Sequence, residues 1–466
     1  MRSAFIIPLI ALAGCTVGPD YAPPESTAGA KWVEPAVTTS PVDLAWWNSF
    51  NDPLLSELVE RAIANAPDVR IANARLAEAR ANRDAVYGGR FPQVNASGAV
   101  TENVLSENGQ LPVANIPGFD RSFSLFDIGF DASWEIDLWG RQQREREGAQ
   151  ARAEAALEAR RETQLRLAAE VARSYMDLRA AQQEAGLRQG MANNASTQAE
   201  LLAQLFEAGD VSKIEAESAR SAAANLAGQV PPARTRAAAA RYRIAALLGV
   251  APEDSPRELL GPAPLPSPPM MVGAGLRSEL LERRPDVRRA ERELAAATAG
   301  IGIAKADLFP RFSLLGSFGI QARDSGDLTS SDSLRANIGP HFSWPIFSAG
   351  RIRAQVRAAD ARAEGAAAAW EGAVAGALAD SETAINRHAN ALIAYSYAVD
   401  ALDSQHRIHS LAWKRYEAGE DSRTQWLAAE LELAQAELAM LQTQSAALDA
   451  AIALNKALGG GWSDAD

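Results

Sequence analysis

The stretch Phe126-Asp127-Ile128-Gly129-Phe130-Asp131-Ala132-Ser133-Trp134-Glu135-Ile136-Asp137-Leu138 decides the architecture. Its apolar residues, Phe126, Ile128, Phe130, Ala132, Trp134, Ile136 and Leu138, alternate with Asp127, Gly129, Asp131, Ser133, Glu135 and Asp137. A period of two marks an extended strand, because successive side chains point to opposite faces. The run covers the roughly 10 residues that a membrane-crossing strand needs. Aromatic residues stand towards its ends, where an interfacial girdle lies. Acids on the other face would be costly in a dry core and suit a water-filled lumen. The stretch is therefore expected to face lipid on one side and water on the other.

Three further stretches share the pattern. Leu334, Ala336, Ile338, Pro340, Phe342, Trp344 and Ile346 oppose Arg335, Asn337, Gly339, His341, Ser343 and Pro345. Val94, Ala96, Gly98 and Val100 fall on one face, as do Phe312, Leu314, Gly316, Phe318 and Ile320. The candidate lumen residues are Asp127, Asp131, Glu135, Asp137, Arg335 and His341. Their acids suggest a cation preference, since charged rings set ion preference in pores. Four strands cannot close a barrel, for which about eight is the smallest useful number. Open edges are not tolerated in lipid. The chain must pool strands with other copies, and strand arithmetic leaves two or three copies open.

Outward from the strands, the chain repeats itself. Pro67-Asp68-Val69 recurs as Pro285-Asp286-Val287, and Phe91-Pro92 as Phe309-Pro310. Trp134, Gly140 and Arg141 recur as Trp344, Gly350 and Arg351; Phe206-Glu207-Ala208-Gly209 recurs as Tyr416-Glu417-Ala418-Gly419. Such order at a nearly constant offset is the mark of duplication. Each copy runs helix (about 53–88 and 276–307), strands (about 91–139 and 309–347), a very long helix (about 141–207 and 351–417), a glycine break and a return helix (about 211–248 and 421–458). Pro231-Pro232 should kink the first return helix. The long helices would reach about 100 Å and must pack side by side to be stable. The expected organisation is a leader at 1–14, an N-terminal segment at 15–52, repeat 1 at 53–249, a Pro-rich linker at 250–275, repeat 2 at 276–459 and a tail at 460–466. The fold class is an α+β membrane protein.

Composition agrees. Ala, Glu, Arg, Gln and Leu abound and aromatics make up 6%, as in long helices. The net charge of −12 argues against nucleic acid as a partner. The only cysteine, Cys15, ends an apolar segment behind Met1-Arg2. That segment is too short for a permanent helical span and reads as a cleaved export signal. No long apolar run follows, so any membrane span must be made of strands.

Together these residues resemble the outer-membrane factors of tripartite efflux pumps, in the lipoprotein branch called NodT-like. The resemblance covers essentially the whole mature chain. Its motifs are Cys15-Thr16-Val17-Gly18-Pro19-Asp20-Tyr21, Trp46-Trp47 with Phe50 and Asp52-Pro53, the paired Pro-Asp-Val and Phe-Pro, and Gly339-Pro340 through Trp344-Pro345-Ile346-Phe347 to Gly350-Arg351. It implies a lipidated Cys15, with Thr16 permitting transfer to the outer membrane, and no cofactor beyond that covalent lipid. It implies a homotrimer: a 12-stranded barrel in outer-membrane lipid, continued by a 12-helix periplasmic tunnel with an equatorial belt. The implied partners are a periplasmic adaptor and an inner-membrane transporter of the RND type, with small molecules such as drugs passing through passively. Adaptor docking falls on the tips, Gly209, Asp210, Ser212 and Lys213 in one copy and Gly419, Glu420, Asp421, Ser422 and Arg423 in the other. A resting latch between Tyr416 and Glu215 is expected. The second tip departs from the family pattern, with Gln425 and Ala428 where relatives carry aspartates; Glu430 could replace that acid ring.

No catalytic constellation is present: no P-loop, HExxH, nucleophile elbow or dinucleotide fingerprint. His406 and His409 share a helix face without a third ligand cluster, so no metal site is expected. The chain is not expected to be an enzyme. Two rivals remain, the outer-membrane channel of a type I protein secretion system and a non-transporting coiled-coil lipoprotein scaffold. The alternating strands speak against the second.

Overall fold

The computed structural model describes residues 16–25, 29, 31–34, 40–106 and 120–462. Cys15, expected to carry lipid, and the leader before it lie outside the described residues.

The elements follow the duplicated order. Helices α1 (Pro53–Asn65) and α2 (Pro67–Gly88) precede strands β1 (Gln93–Val104) and β2 (Ser122–Ile136). Helix α3 (Arg141–Ala208) leads through the first tip to α4 (Lys213–Gly228) and α5 (Val230–Leu248). The second copy has α6 (Arg277–Arg283), α7 (Pro285–Ala306), β3 (Arg311–Ala322), β4 (Leu334–Ser343), α8 (Arg351–Glu417) and α9 (Arg423–Ala457).

The first helix of each copy, expected to be continuous, is two helices. The breaks fall at Ala66 (ψ 143°) and Arg284 (ψ 121°), each just before a proline. The proline ring crowds the preceding residue out of the helical region. The first return helix also divides, at Gln229, because Pro231 and Pro232 lack the N–H groups that would continue the ladder. The second return helix has no such prolines and runs unbroken.

Contacts divide the chain into two units: Met1–Pro24, Ala77–Ala155 and Ala290–Trp370 in one, and Glu25–Leu76, Ala156–Arg289 and Glu371–Asp466 in the other. The first holds a four-stranded antiparallel sheet in the order β1-β2-β3-β4. Its base repeats one hydrogen bond. The Trp134 indole N–H donates to the Arg90 carbonyl at 2.8 Å, and its counterpart Trp344 donates to the Leu308 carbonyl at 3.1 Å. Each tryptophan thereby ties a strand end to the residue two before a Phe-Pro proline. The N-terminal motif docks in this unit. The Val17 N–H donates to the Trp139 carbonyl at 3.0 Å, and buried Arg144 donates to Asp20 at 2.6 Å. Gly18 (φ +94°) lies so close to Gly302 that a Cβ would stand 2.5 Å from its Cα.

The second unit contains the main core, built by Trp46, Trp47, Phe50, Leu55, Leu58, Val171, Tyr175, Ile244 and Leu448 among others. Asp52 caps α1 by accepting from Leu54 and Leu55 N–H, and its other oxygen accepts from Tyr175 Oη at 2.6 Å. Burial and that bond push the Tyr175 phenol up to about 12. The Pro-rich linker makes few backbone bonds, so its carbonyls take side-chain donors. Arg179 donates to Gly261 O and Glu258 O, Gln182 to Leu259 O, and Gln444 to Pro266 O. His388 Nε2 stands 3.2 Å from Pro269 O, and burial pushes its pKa down.

Candidate functional site

The strand register brings the four alternating patterns onto one surface. Ala96 pairs with Phe130, Phe130 with Phe318, and Phe318 with Ala336. Gly98, Ile128, Ile320 and Leu334 form the next apolar row. These side chains face no core: Phe130 is 55% exposed, Phe318 56% and Ile338 78%. Solvent-exposed apolar area on that scale marks a surface meant for an apolar partner.

The opposite face holds the candidate lumen residues. Asp127 lies across from Gln321, Asp131 across from Asn95 and Ser317, and Glu135 shares a row with Ser313 and His341. Asp127 accepts from Arg335 on β4 and from Gln321 at 2.6 Å, and Asp131 accepts from Ser97 at 3.0 Å. Asp137 stands elsewhere. It follows the last residue of β2, and its carboxylate accepts from the Gln143 N–H at 2.9 Å, serving the first turn of α3. Arg335 cancels part of the negative charge counted from sequence, because it pairs with Asp127.

The two tips share one geometry. Gly209 (φ +84°) and Gly419 (φ +76°) end the long helices in the left-handed conformation that glycine adopts without steric penalty. Asp210 N–H returns to Leu205 O, and Glu420 N–H to Arg415 O. Ser212 and Ser422 then start the return helices with capping boxes. Ser212 Oγ accepts from Glu215 N–H while Glu215 accepts from Ser212 N–H at 2.7 Å; Ser422 and Gln425 do the same. That backbone bond holds the exposed Glu215 carboxyl below its usual range. The sequence signal was present as Ser-x-x-Glu and Ser-x-x-Gln, the pattern of a helix start. Asp421 also accepts from Arg415 at 2.8 Å. Lys213 and Arg423 are the first residues of their return helices and are exposed.

Glu215 and Tyr416, the expected latch, are not joined by a hydrogen bond among the described residues of one chain. Tyr416 stacks on Trp426 at 5.7 Å, and Trp413 packs edge-on to Trp426 at 5.1 Å. Glu430 accepts from Asn194 of the first copy at 3.0 Å, while Gln425 and Ala428 are exposed. The aromatic trio belongs to one copy only. Its counterparts in the other are Ala203, Phe206 and Ala216, and these line a groove of about 640 Å³ between α3 and α4. The two tips thus share a backbone and differ in filling.

A strand wall with an exposed apolar face and a polar reverse, joined to paired long helices, defines a component of a membrane channel. The model of the outer membrane efflux protein family matches residues 58–250 and 276–460, and the chain belongs to that family. It is an outer-membrane channel protein, not an enzyme. It is 31% identical to the pyoverdine export outer membrane protein OpmQ of Pseudomonas aeruginosa, over 90% of this chain and 87% of that one. It is also 31% identical to nodulation protein T of Rhizobium leguminosarum bv. trifolii, over 97% and 95%. Among solved structures, the outer-membrane channel OprN superposes with a TM-score of 0.84 at 35% identity, covering 96% of this chain and 100% of that chain. No helix among the described residues is long and apolar enough to cross a membrane.

Proposed function

We propose that this chain is the outer-membrane exit channel of a tripartite efflux pump, conducting small molecules passively from the periplasm outwards. The observation that carries the reading is the sheet: one face apolar and exposed, the other polar, with β1 and β4 left as open edges among the described residues. Unpaired strand edges cannot remain in lipid, so neighbouring copies must supply β4 to β1. Three copies give 12 strands and an aqueous bore. Large apolar residues exposed along α8, among them Ile393, Tyr397, Ile408 and Leu411, favour the same association of the helices into a tunnel.

In this reading the tips around Gly209–Lys213 and Gly419–Arg423 receive the periplasmic adaptor, and an inner-membrane transporter of the RND type supplies the energy. Glu215 and Tyr416 would meet across chains as the resting latch, and Gln425, Ala428 and Glu430 would shape the constriction. Asp127, Asp131, Glu135, Arg335 and His341 would line the barrel. Once the export signal at 1–14 is cleaved, a lipid on Cys15 would complete the anchor, next to the docked Thr16–Tyr21 segment. Relatives named for pyoverdine export, antibiotic efflux and solvent efflux favour small-molecule cargo.

The test is accumulation of a panel of dyes, antibiotics, siderophores and metal ions in cells with and without the gene. Higher accumulation of some compounds in the deletion strain, reversed by complementation, is expected. No difference for any compound would overturn the efflux reading.

A further inference from the structure

Arg335, the second residue of β4, lies opposite Gly319 on β3, which lies opposite Gly129 on β2. Neither glycine has room for a side chain. A Cβ on Gly319 would stand 2.5 Å from the Ile128 carbonyl oxygen, and one on Gly129 would stand 2.8 Å from the Phe318 carbonyl oxygen and 3.3 Å from Arg335 Nη2. The two residues form a bare saddle on the polar face. The Arg335 side chain lies across it, a span of about 10 Å at the usual strand spacing. Its guanidinium donates to Ser317 Oγ on β3 at 3.2 Å and to Asp127 on β2. The pair stands near the end of the sheet that carries the 105–121 and 323–333 connections, away from the helices. Asp131 lies two polar rows deeper than Asp127 and has no such ion pair among the described residues.

We propose that Arg335 sets the charge of the outer bore, lying flat over the glycine saddle to neutralise Asp127 and keep that level from acting as a ring of carboxylates. The inference rests on the channel reading above. In a barrel of three chains, loss of Arg335 leaves three uncompensated carboxylates facing one another above the Asp131 level. Charged rings set the ion preference of pores. A lumen of one sign between low-dielectric walls concentrates counter-ions. Because the guanidinium lies along the wall, neutralisation does not narrow the bore.

Single-channel recording of the full-length protein in planar bilayers tests this, with hexaamminecobalt(III) added on the extracellular side. Arg335→Gln is expected to be blocked at a severalfold lower concentration than the wild type. Its reversal potential in a KCl gradient should move towards potassium. The double variant Asp127→Asn/Arg335→Gln should return both readings to near the wild type, and Arg335→Lys should stay there. An Arg335→Gln channel that conducts with unaltered block and reversal potential would reduce the residue to a strand fastener and overturn the proposal. If Arg335→Gln does not assemble, Asp127→Asn decides, since it bares the guanidinium and must shift the reversal potential towards chloride; no shift overturns the proposal equally. Absence of any conductance from the wild type would instead sink the channel reading, and this inference with it.

Discussion

Arg284 shows how one side chain can serve a whole junction. It binds Asp286 with two bonds, at 3.0 and 2.7 Å, and donates to the carbonyls of Ala457 and Ala377 at 3.1 and 3.3 Å. Burial works against the Asp286 charge, but the Arg284 bonds outweigh it and hold the carboxyl below its ordinary range. A carboxylate whose folded pKa is depressed stabilises above its unfolded pKa, near 3.9, and that contribution is lost as pH falls through the folded value. Asp286→Asn should therefore destabilise the protein at pH 7 by about 2 kcal/mol, below the range for a fully buried pair. The deficit should shrink as the pH drops below about 4. Thermal unfolding of the detergent-solubilised protein at pH 7 and at pH 3.5 checks both points; an equal deficit at the two values would contradict the linkage. The repeated Pro-Asp-Val was legible in the sequence, but this role was not. Asp68, the first copy's equivalent, stands 3.9 Å from Arg166 with both side chains largely exposed. The residue before its proline is Ala66, so no arginine is placed to grip it. Equal motifs in duplicated halves fix equal backbones, and the partners are chosen by residues outside the motif.

The two tips are started and stopped by the same devices, a left-handed glycine and a serine cap. Ser212 and Ser422 each satisfy an otherwise unpaired N–H of the return helix, and a serine N-cap is worth about 1 kcal/mol. Ser212→Ala should speed amide exchange in the first turn of α4 and leave α9 unaffected, whereas Ser422→Ala should do the reverse. Exchange that rose at both tips in either variant would mean that the tips are coupled. The groove beside Ala203 and Ala216 gives a second expectation. The copy that holds Trp413 and Trp426 shows that this backbone accepts two indoles. Ala216→Trp should thus fold, and should lower efflux in cells if an adaptor side chain seats in the groove. Unchanged efflux with a normal level of protein would remove the groove from the docking surface. The glycine breaks and strand alternation were readable because period and φ requirement are local properties. The helix breaks at Ala66, Arg284 and Gln229 were readable too, in the prolines that follow, although the first two were read as continuous helix. The capping boxes that Glu215 and Gln425 complete stand in the sequence as well, in their spacing of three from Ser212 and Ser422. Arg335 reaching Asp127 across a whole strand could not be read, because it depends on register and on which glycines face each other.

For the whole molecule, the decisive fact is that four strands agree on which side is apolar. Alternation within each strand was visible from sequence, but a one-residue slip in any pairing would have sent that strand's apolar set to the polar face. The observed register avoids this in all three pairings. The row Ala96, Phe130, Phe318 and Ala336 lies well inside the sheet, flanked by further apolar rows on both sides. If that face meets hydrocarbon, an arginine there must be carried into lipid, at about 2–4 kcal/mol near the midplane. A closed three-chain barrel would bear that three times over. Phe130→Arg should thus strongly deplete folded protein from the outer membrane. Asn337→Arg, one residue along from Ala336 on the polar face, should be incorporated at nearly the wild-type level, because water solvates its charge. Fractionated membranes, with heat-dependent electrophoretic mobility as the readout of assembly, compare the two directly. Equal loss in both variants would mean that the sheet packs against protein on both faces. Equal survival would mean that Phe130 faces water. Only depletion of Phe130→Arg alone agrees with a wall standing between lipid and an aqueous bore.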